Sequence, residues 1–291
     1  MPTLSIPAPA KLNLGLQVLD RRPDGYHEVV TILQTLELAD TVHISDASQI
    51  EGEPSLPGLA RAQDLTFKAA ERLHAHLRPH TGAYLRVNKH VPSGAGLGGG
   101  SSDAAATLLG LDAFWQTGAD GSLLAEIARS LGADVPFFLR GGTMLATGRG
   151  DLLEPLAAPP RRWVLLVRPD AEIAAADAYA TLHPTEWSDG ADTLAMGGAI
   201  QQGELPVELI RNDLTPSAMR LVPEVGKILE RLTAEGAAPA FLVGSGPTCC
   251  GLFGSEQDAT DAHVRFRAPN VWTALTRFRR KGRPQATNGS R

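Results

Sequence analysis

The stretch Pro92-Ser93-Gly94-Ala95-Gly96-Leu97-Gly98-Gly99-Gly100-Ser101-Ser102 decides how the chain is read. Upstream of it, Ala83, Leu85, Val87 and Val91 alternate with Tyr84, Arg86, Asn88 and His90, the period of two that marks a half-buried strand. Downstream, Asp103-Ala104-Ala105-Ala106-Thr107-Leu108-Leu109-Gly110-Leu111 is rich in helix formers and apolar at helical spacing. Ser101 or Ser102 is the natural N-cap, and Asp103 sits where a carboxylate complements the helix dipole. Strand, glycine loop and helix start together make an anion site. Glycines let the backbone approach a ligand, and the first N–H groups of a helix have no acceptor within it. A polyphosphate would satisfy several of them at once. A flexible linker is the alternative, but linkers seldom separate an alternating strand from a capped helix.

Two phosphate loops of other kinds are disfavoured by what surrounds these glycines. Gly94, Gly96 and Gly99 satisfy G-x-G-x-x-G. A dinucleotide fold, however, needs a second apolar strand ending in an acidic residue about 20 positions on. Phe114-Trp115-Gln116-Thr117-Gly118-Ala119-Asp120-Gly121 is no strand, which argues against an NAD-binding oxidoreductase. A Walker loop fails as well, because no Gly-Lys-Ser/Thr closes the run.

The 291 residues suffice for one large domain or two ordinary ones, and 43% apolar with 20% charged residues is the composition of a soluble globular chain. A formal net charge of −5 argues against nucleic acid as the main partner. Met1-Pro2-Thr3-Leu4-Ser5-Ile6-Pro7 has neither the basic region nor the apolar core of a secretory leader. No apolar run approaches membrane-spanning length, so no membrane partner is expected. The two cysteines, Cys249 and Cys250, are adjacent, and neighbours on a strand point to opposite faces. They read as buried thiols of a reduced, cytoplasmic compartment.

Along the chain, Leu12, Leu14, Leu16 and Val18 share one strand face, with Lys11, Asn13, Gly15 and Gln17 on the other. Arg21-Arg22-Pro23-Asp24-Gly25 is a turn, and Glu28 to Leu38 returns as a strand, so the chain opens with a hairpin. Asp64 caps a helix to about Leu77, and Ser122 to Leu131 is another, closed by Gly132. Asp134 then stands between Gly132 and Pro136, before Phe137 and Phe138; a turn former is the plain reading of such an aspartate, and an apolar setting would demand a cation beside it. Residues 143–147 form a strand. Pro and Ala between Pro155 and Pro160 mark a domain boundary, giving units at 1–157 and 158–280. The second unit reads as a strand at Trp163–Val167, a helix near Ile173–Leu182, and a helix at Pro223–Glu235. A strand–turn–strand around Gly244-Ser245-Gly246-Pro247, a helix at Gln257–Phe266 and a strand at Val271–Phe278 follow, an order that suits a ferredoxin-like split β-α-β layer. Thr185 to Gly203 is polar and glycine-rich, the least ordered internal stretch, and the basic, polar tail 281–291 reads as frayed and solvated.

Lys11 with Asn13, the loop 92–102, Asp134 after a helix, and the Gly244-Ser245-Gly246 turn stand in one order. That order, with Pro-x-x-x-Gly-Leu-Gly-x-x-Ser-Ser, resembles the GHMP kinases, the superfamily of galactokinase, homoserine kinase and mevalonate kinase. The resemblance spans the chain up to Phe278. Ala10-Lys11-Leu12-Asn13-Leu14, Arg22-Pro23-Asp24-Gly25-Tyr26-His27 and Gly132-Ala133-Asp134-Val135-Pro136 resemble one branch in particular. It implies an α+β fold, with an N-terminal domain like ribosomal protein S5 and a C-terminal ferredoxin-like domain. It also implies ATP-dependent phosphorylation of the 2-hydroxyl of a cytidine-diphosphate-linked methylerythritol, on the non-mevalonate route to isoprenoids. In that resemblance Pro92 to Ser102 cradles the triphosphate, with Mg2+ on the phosphates and on a loop serine. Asp134 is the general base, and Lys11 keeps it ionised and stabilises the developing charge. Tyr26 and His27 meet the cytosine, with Tyr179 on its other face, and Asn13 and Thr248 contact the polyol or phosphate oxygens. The partner implied is a small molecule, with at most a weak homodimer. Another GHMP small-molecule kinase, such as homoserine kinase, and a catalytically silent sugar- or nucleotide-binding regulator are the alternatives; Tyr26-His27 argues against the first, and Lys11 with Asp134 against the second.

Overall fold

The computed structural model describes residues 3–280 and 282–288. The expected hairpin is formed by β1 (Thr3–Arg21) and β2 (His27–Ser45), two long antiparallel strands. The second half of β2 pairs with β4 (Ala83–Asn88), to which β3 (Ile50–Gly52) adds in parallel. Its first half pairs instead with β5 (Thr143–Thr147), and β5 with β6 (Leu152–Leu156). One face of this sheet is covered by α1 (Leu65–Leu77), α2 (Gly99–Trp115), α3 (Gly121–Leu131) and α4 (Val135–Arg140). Ile6, Ala8, Val42, Ile44 and Leu85 pack there against Phe67, Leu73, Leu108 and Phe137. At Gly110 a Cβ would lie 2.6 Å from Ile44 Cδ1, so α2 runs closer to the sheet than a side chain would allow.

The even positions of β1 do not keep to one face. Ile6 and Ala8 point to the helices, whereas Ala10, Leu12 and Leu14 point to a core shared with the second sheet. The change of face falls at the register shift between Pro9 and Lys11, where Ala10 alone stands opposite Leu36, Glu37 and Leu38 of β2 and the ladder is interrupted. From Ala8 to Val18 the strand is therefore buried on both sides, not half-buried as its pattern suggests.

The second sheet has β7 (Trp163–Pro169), β8 (Ala240–Leu242), β9 (Cys249–Phe253) and β10 (Val271–Arg277) in the order β10-β7-β9-β8, all antiparallel. This is the split β-α-β layer expected from the order of elements. Val164, Leu166 and Cys250 face the first domain; Leu165, Val167 and Cys249 face α5 (Ala175–Ala180), α7 (Thr215–Leu221), α8 (Glu224–Ala234) and α9 (Glu256–Phe266). The cysteines are free and buried on opposite faces. Among the described residues no helix is long and apolar enough to cross a membrane.

Three expectations are corrected. Neither Ser101 nor Ser102 caps α2: the cap is Gly98 at φ +72°, and Asp103 lies buried within the helix instead of complementing its first turn. A left-handed glycine lets the chain enter the helix earlier than a serine cap would. Thr185 to Gly203 is ordered, holding a turn of 3-10 helix at Pro184–Glu186 and α6 (Ala191–Gln201). Met196 and Ile200 fill the shared core against Leu12, Leu14 and Ile32, a stripe that Gly197 and Gly198 dilute in the sequence. The tail is not frayed over its described part. Arg279 N–H donates to Thr35 O at 2.9 Å, Pro284 is buried, and β11 (Thr287–Asn288) pairs with Leu4 and Ser5, giving the open edge of β1 a partner. Lys281 and residues 289–291 lie outside the described residues.

Candidate active site

Lys11 sits in the middle of β1, 5% exposed. Its Nζ donates to Asn13 Oδ1 at 2.8 Å, and Asn13 Nδ2 donates to Thr31 Oγ1 at 2.8 Å on the neighbouring strand. Burial pushes the Lys11 ammonium below its usual range, and the Asp134 charge opposes that shift. A buried cation with one neutral acceptor among the described residues is poised for an anion.

The glycine loop leans on this strand through Lys11 N–H, which donates to Leu97 O at 2.9 Å. Gly94, Gly96 and Gly98 all have positive φ (62°, 77° and 72°), turning successive N–H groups into a concavity. The N–H groups of Gly99, Gly100 and Ser101 have no acceptor among the described residues. The Gly244 turn of the second domain closes against this loop. A Cβ on Gly96 would lie 2.5 Å from Val243 O, and one on Gly246 would lie 2.5 Å from Gly96 N. Two glycine runs thus meet backbone to backbone.

Asp134 heads α4 directly, half-buried and without a capping hydrogen bond from its side chain. Its charge acts on Lys11 and also on Tyr179, whose phenol is pushed up chiefly by burial and then by Asp134. A Cβ on Gly98 would lie 2.8 Å from Phe138 Cζ and 3.2 Å from Lys11 Cγ, so the first strand, the glycine loop and α4 pack together at this point.

Beneath the loop, Lys89 Nζ bridges Asp40 Oδ2 at 2.5 Å and Asp103 Oδ2 at 2.6 Å. Asp40 Oδ1 also accepts from the N–H groups of His90 and Val91, fixing the chain as it enters the loop. Burial raises the Asp103 carboxyl to about 7, Lys89 opposing and Asp40 adding to the shift. A carboxyl whose pKa rises on folding stabilises the fold most below its unfolded pKa, near about 4, and that contribution is lost as pH climbs through the folded value. Asp103→Asn is accordingly expected to flatten the fall in Tm between about pH 5 and about pH 8. Calorimetry checks it; an unchanged slope assigns the proton to another group.

His27 and Tyr179 stack on each other, centroids 5.1 Å apart and planes 22° apart, with Trp187 edge-on to His27 at 6.0 Å. Burial, with Arg21 nearby, holds the His27 imidazole below its usual pKa. Tyr26 stands apart, 58% exposed, under the Arg149 guanidinium at 5.0 Å. No ring fits between His27 and Tyr179 as they stand, so a base enters between them only if that stack opens. Thr248 is fully buried at the foot of the Gly244 turn, and its hydroxyl has no partner among the described residues. Beside the loop a cavity of about 640 Å3 lies between Lys89, Pro92 and Ser93 and, across the domain boundary, Arg168, Asp170 and Trp272. A hollow of about 600 Å3 at the ends of α1 and α2 touches none of these groups, and another of the same size beside α8 shares Asp170 with the cavity at the loop.

The sequence did not single out Lys89, Trp187 or Asn212. Lys89 falls at an odd position among Ala83, Leu85, Val87 and Val91, where a cation on the apolar face is the signal that could have found it, and Trp187 falls in a polar, glycine-rich stretch. Asn212 carried no signal at all.

The GHMP kinases N terminal domain matches residues 64–142, and the GHMP kinases C terminal family matches residues 199–271. A 4-diphosphocytidyl-2-C-methyl-D-erythritol kinase from Pelotomaculum thermopropionicum is 39% identical over 278 residues, covering 93% of this chain and 96% of its own. One from Geobacillus kaustophilus is 40% identical over 257 residues, 86% of this chain and 88% of its own. A crystal structure of 4-(cytidine 5'-diphospho)-2C-methyl-D-erythritol kinase superposes with a TM-score of 0.81 at 34% identity, covering 94% of this chain and 98% of that one. The homoserine kinase of Cytophaga hutchinsonii shares the fold, with a TM-score of 0.72 at 17% identity over 98% of this chain and 97% of its own.

Proposed function

The chain belongs to the 4-diphosphocytidyl-2-C-methyl-D-erythritol kinase family of the GHMP kinases, and from that premise we propose how its residues divide the work. It is an ATP-dependent small-molecule kinase that phosphorylates the 2-hydroxyl of 4-diphosphocytidyl-2-C-methyl-D-erythritol and releases ADP. The observation that supports the roles is the meeting of Lys11, the Gly96–Gly246 contact and Asp134 at the boundary of the two domains.

Phosphoryl transfer needs alignment and charge neutralisation more than covalent chemistry from the protein. The N–H groups of the loop and of the first turn of α2 hold the phosphates, and the cavity beside Pro92 and Ser93 receives the nucleoside. Asp134 accepts the proton of the 2-hydroxyl as its oxygen bonds the terminal phosphorus and the bond to the ADP oxygen breaks. Lys11 meets the charge on the transferring group, and its burial makes that interaction stronger than it would be in water. For Mg2+ the described residues offer no cluster of three or more acidic or His/Cys ligands, which suits an ion carried on phosphates. Ser102, whose buried hydroxyl has no partner among the described residues, is the residue that would hold it, and the ion would supply further charge neutralisation there.

His27, kept neutral, offers one donor and one acceptor to the edge of the cytosine, and Tyr26 supplies an aromatic face. Asn13 and Thr248 supply polar groups for the polyol or phosphate oxygens. Tyr26→Ala is expected to raise KM for the cytidylyl substrate about tenfold, with KM for ATP unchanged. Equal effects on both would remove Tyr26 from the substrate side. The function itself is tested by ADP release with 4-diphosphocytidyl-2-C-methyl-D-erythritol against homoserine and mevalonate. Turnover confined to the cytidylyl compound is expected, and preference for either of the others would defeat the reading.

A further inference from the structure

Arg211-Asn212-Asp213 crosses from the second domain to the catalytic strand. Leu16 N–H donates to Arg211 O at 2.9 Å and Asp213 N–H donates to Leu16 O at 2.9 Å, a parallel bridge just past the Asn13–Gly15 bulge. Asp213 fastens the segment. Its Oδ2 accepts from Val18 N–H at 2.9 Å and from the Ser188 hydroxyl, and its Oδ1 lies 3.1 Å from Arg211 Nη2. Asn212 reaches the other way. Its Nδ2 donates to Gly244 O at 2.7 Å and Leu242 O at 3.0 Å, while its Oδ1 accepts from Leu214 N–H at 2.9 Å. Both amide hydrogens are thus spent on one turn, at a residue 7% exposed.

That turn roofs the reacting groups. Gly244 has φ +57°, and a Cβ built on it would lie 3.1 Å from Lys11 Nζ, 3.2 Å from Asn13 Oδ1 and 3.1 Å from Gly96 O. Whatever sets Gly244 sets how far the lysine ammonium stands from the phosphate loop and how much water reaches it.

We propose that Asn212 is a positioning residue for phosphoryl transfer, its carboxamide holding the Gly244 turn against Lys11 and Gly96 while Asp213 ties that setting to β1. The inference rests on the role given to Lys11 above. The carboxamide is specific to the task, since it supplies two donors and an acceptor in one plane. Aspartate has the same shape but would set an oxygen against two carbonyl oxygens.

The test uses the full chain. Asn212→Asp is expected to lower kcat about 100-fold, the scale of a misplaced catalytic group. KM for ATP and for the cytidylyl substrate should stay within about threefold, because the loss falls on the transition state. The alkaline limb of the kcat–pH profile should also move to higher pH. Burial holds Lys11 below its ordinary pKa against the opposing charge of Asp134, the protonated form is the active one, and a loosened turn admits water and lets that pKa rise. Asn212→Ser, which adds no charge, should show the same shift of the limb with a smaller fall in kcat. Wild-type kcat and pH profile in both variants, with only Tm reduced, would overturn the proposal and leave Asn212 a structural hydrogen bond. Gly244→Ala displaces the turn without touching Asn212, so wild-type kcat there would overturn it even if the Asn212 variants fail to fold. An active wild type with silent variants sinks this inference alone; a wild type that does not phosphorylate the cytidylyl substrate sinks the functional reading and this inference with it.

Discussion

Replacing Asp134 with asparagine is expected to lower kcat roughly a thousandfold, inside the range that general-base catalysis supplies. The shape of the side chain is kept and its charge is lost, so the start of α4 should be undisturbed. KM for ATP should hardly change, because the phosphate loop does not depend on Asp134 for any hydrogen bond among the described residues. Lys11 would respond in a second way. Asp134 is the charge that opposes the effect of burial on the lysine, and without it the Lys11 pKa should fall further. Since activity needs the protonated lysine, the residual rate should fade at lower pH than in the wild type. Steady-state ADP release across pH, with ATP binding by calorimetry, reads both effects. Unchanged turnover would remove Asp134 as the base, and lost ATP binding would make it part of the nucleotide site.

Gly96→Ala should be a strongly damaging small substitution at the site. Its φ of +77° costs any L side chain about 1–2 kcal/mol. The new Cβ would also lie 2.5 Å from Val243 O and 2.9 Å from Gly246 N, both backbone atoms that cannot rotate aside. Overpacking of that kind adds about 1–3 kcal/mol. A fall in Tm of roughly 10 °C is expected, together with weakened ATP binding, because the same atoms shape the phosphate cradle and the contact between domains. Gly198→Ala is the control. It sits in α6 with nothing within 4 Å of its added Cβ, and it should be neutral or slightly stabilising. A Gly96→Ala protein with native Tm and ATP affinity would mean that the two glycine runs part freely.

How much of this could be read beforehand depended on whether the cause was local. The hairpin, the cap of α1 by Asp64, the split β-α-β order and the opposed faces of Cys249 and Cys250 each follow from periodicity or turn chemistry within a few residues. Motif residues such as Lys11, Asp134 and Gly244 were legible because their spacing and order matched a family. The start of α2 was misread because serine and glycine both cap helices, and only the backbone angle at Gly98 separates the two. Residues 191–201 looked loose because two glycines hide a stripe whose partners come from β1 and β2.

Sequence by itself determined most of the long secondary elements, the order of the motifs and the kind of chemistry, since these rest on residue type and on spacing along the chain. Only the tertiary structure decided which polar groups share a site. Lys89 lies between two buried carboxylates, and Asn212 holds a turn 32 residues away. His27 lies against Tyr179 instead of apart from it. Each of these is a short-range contact between groups distant in sequence, and a hydrogen bond or an ion pair leaves no period for a single chain to display.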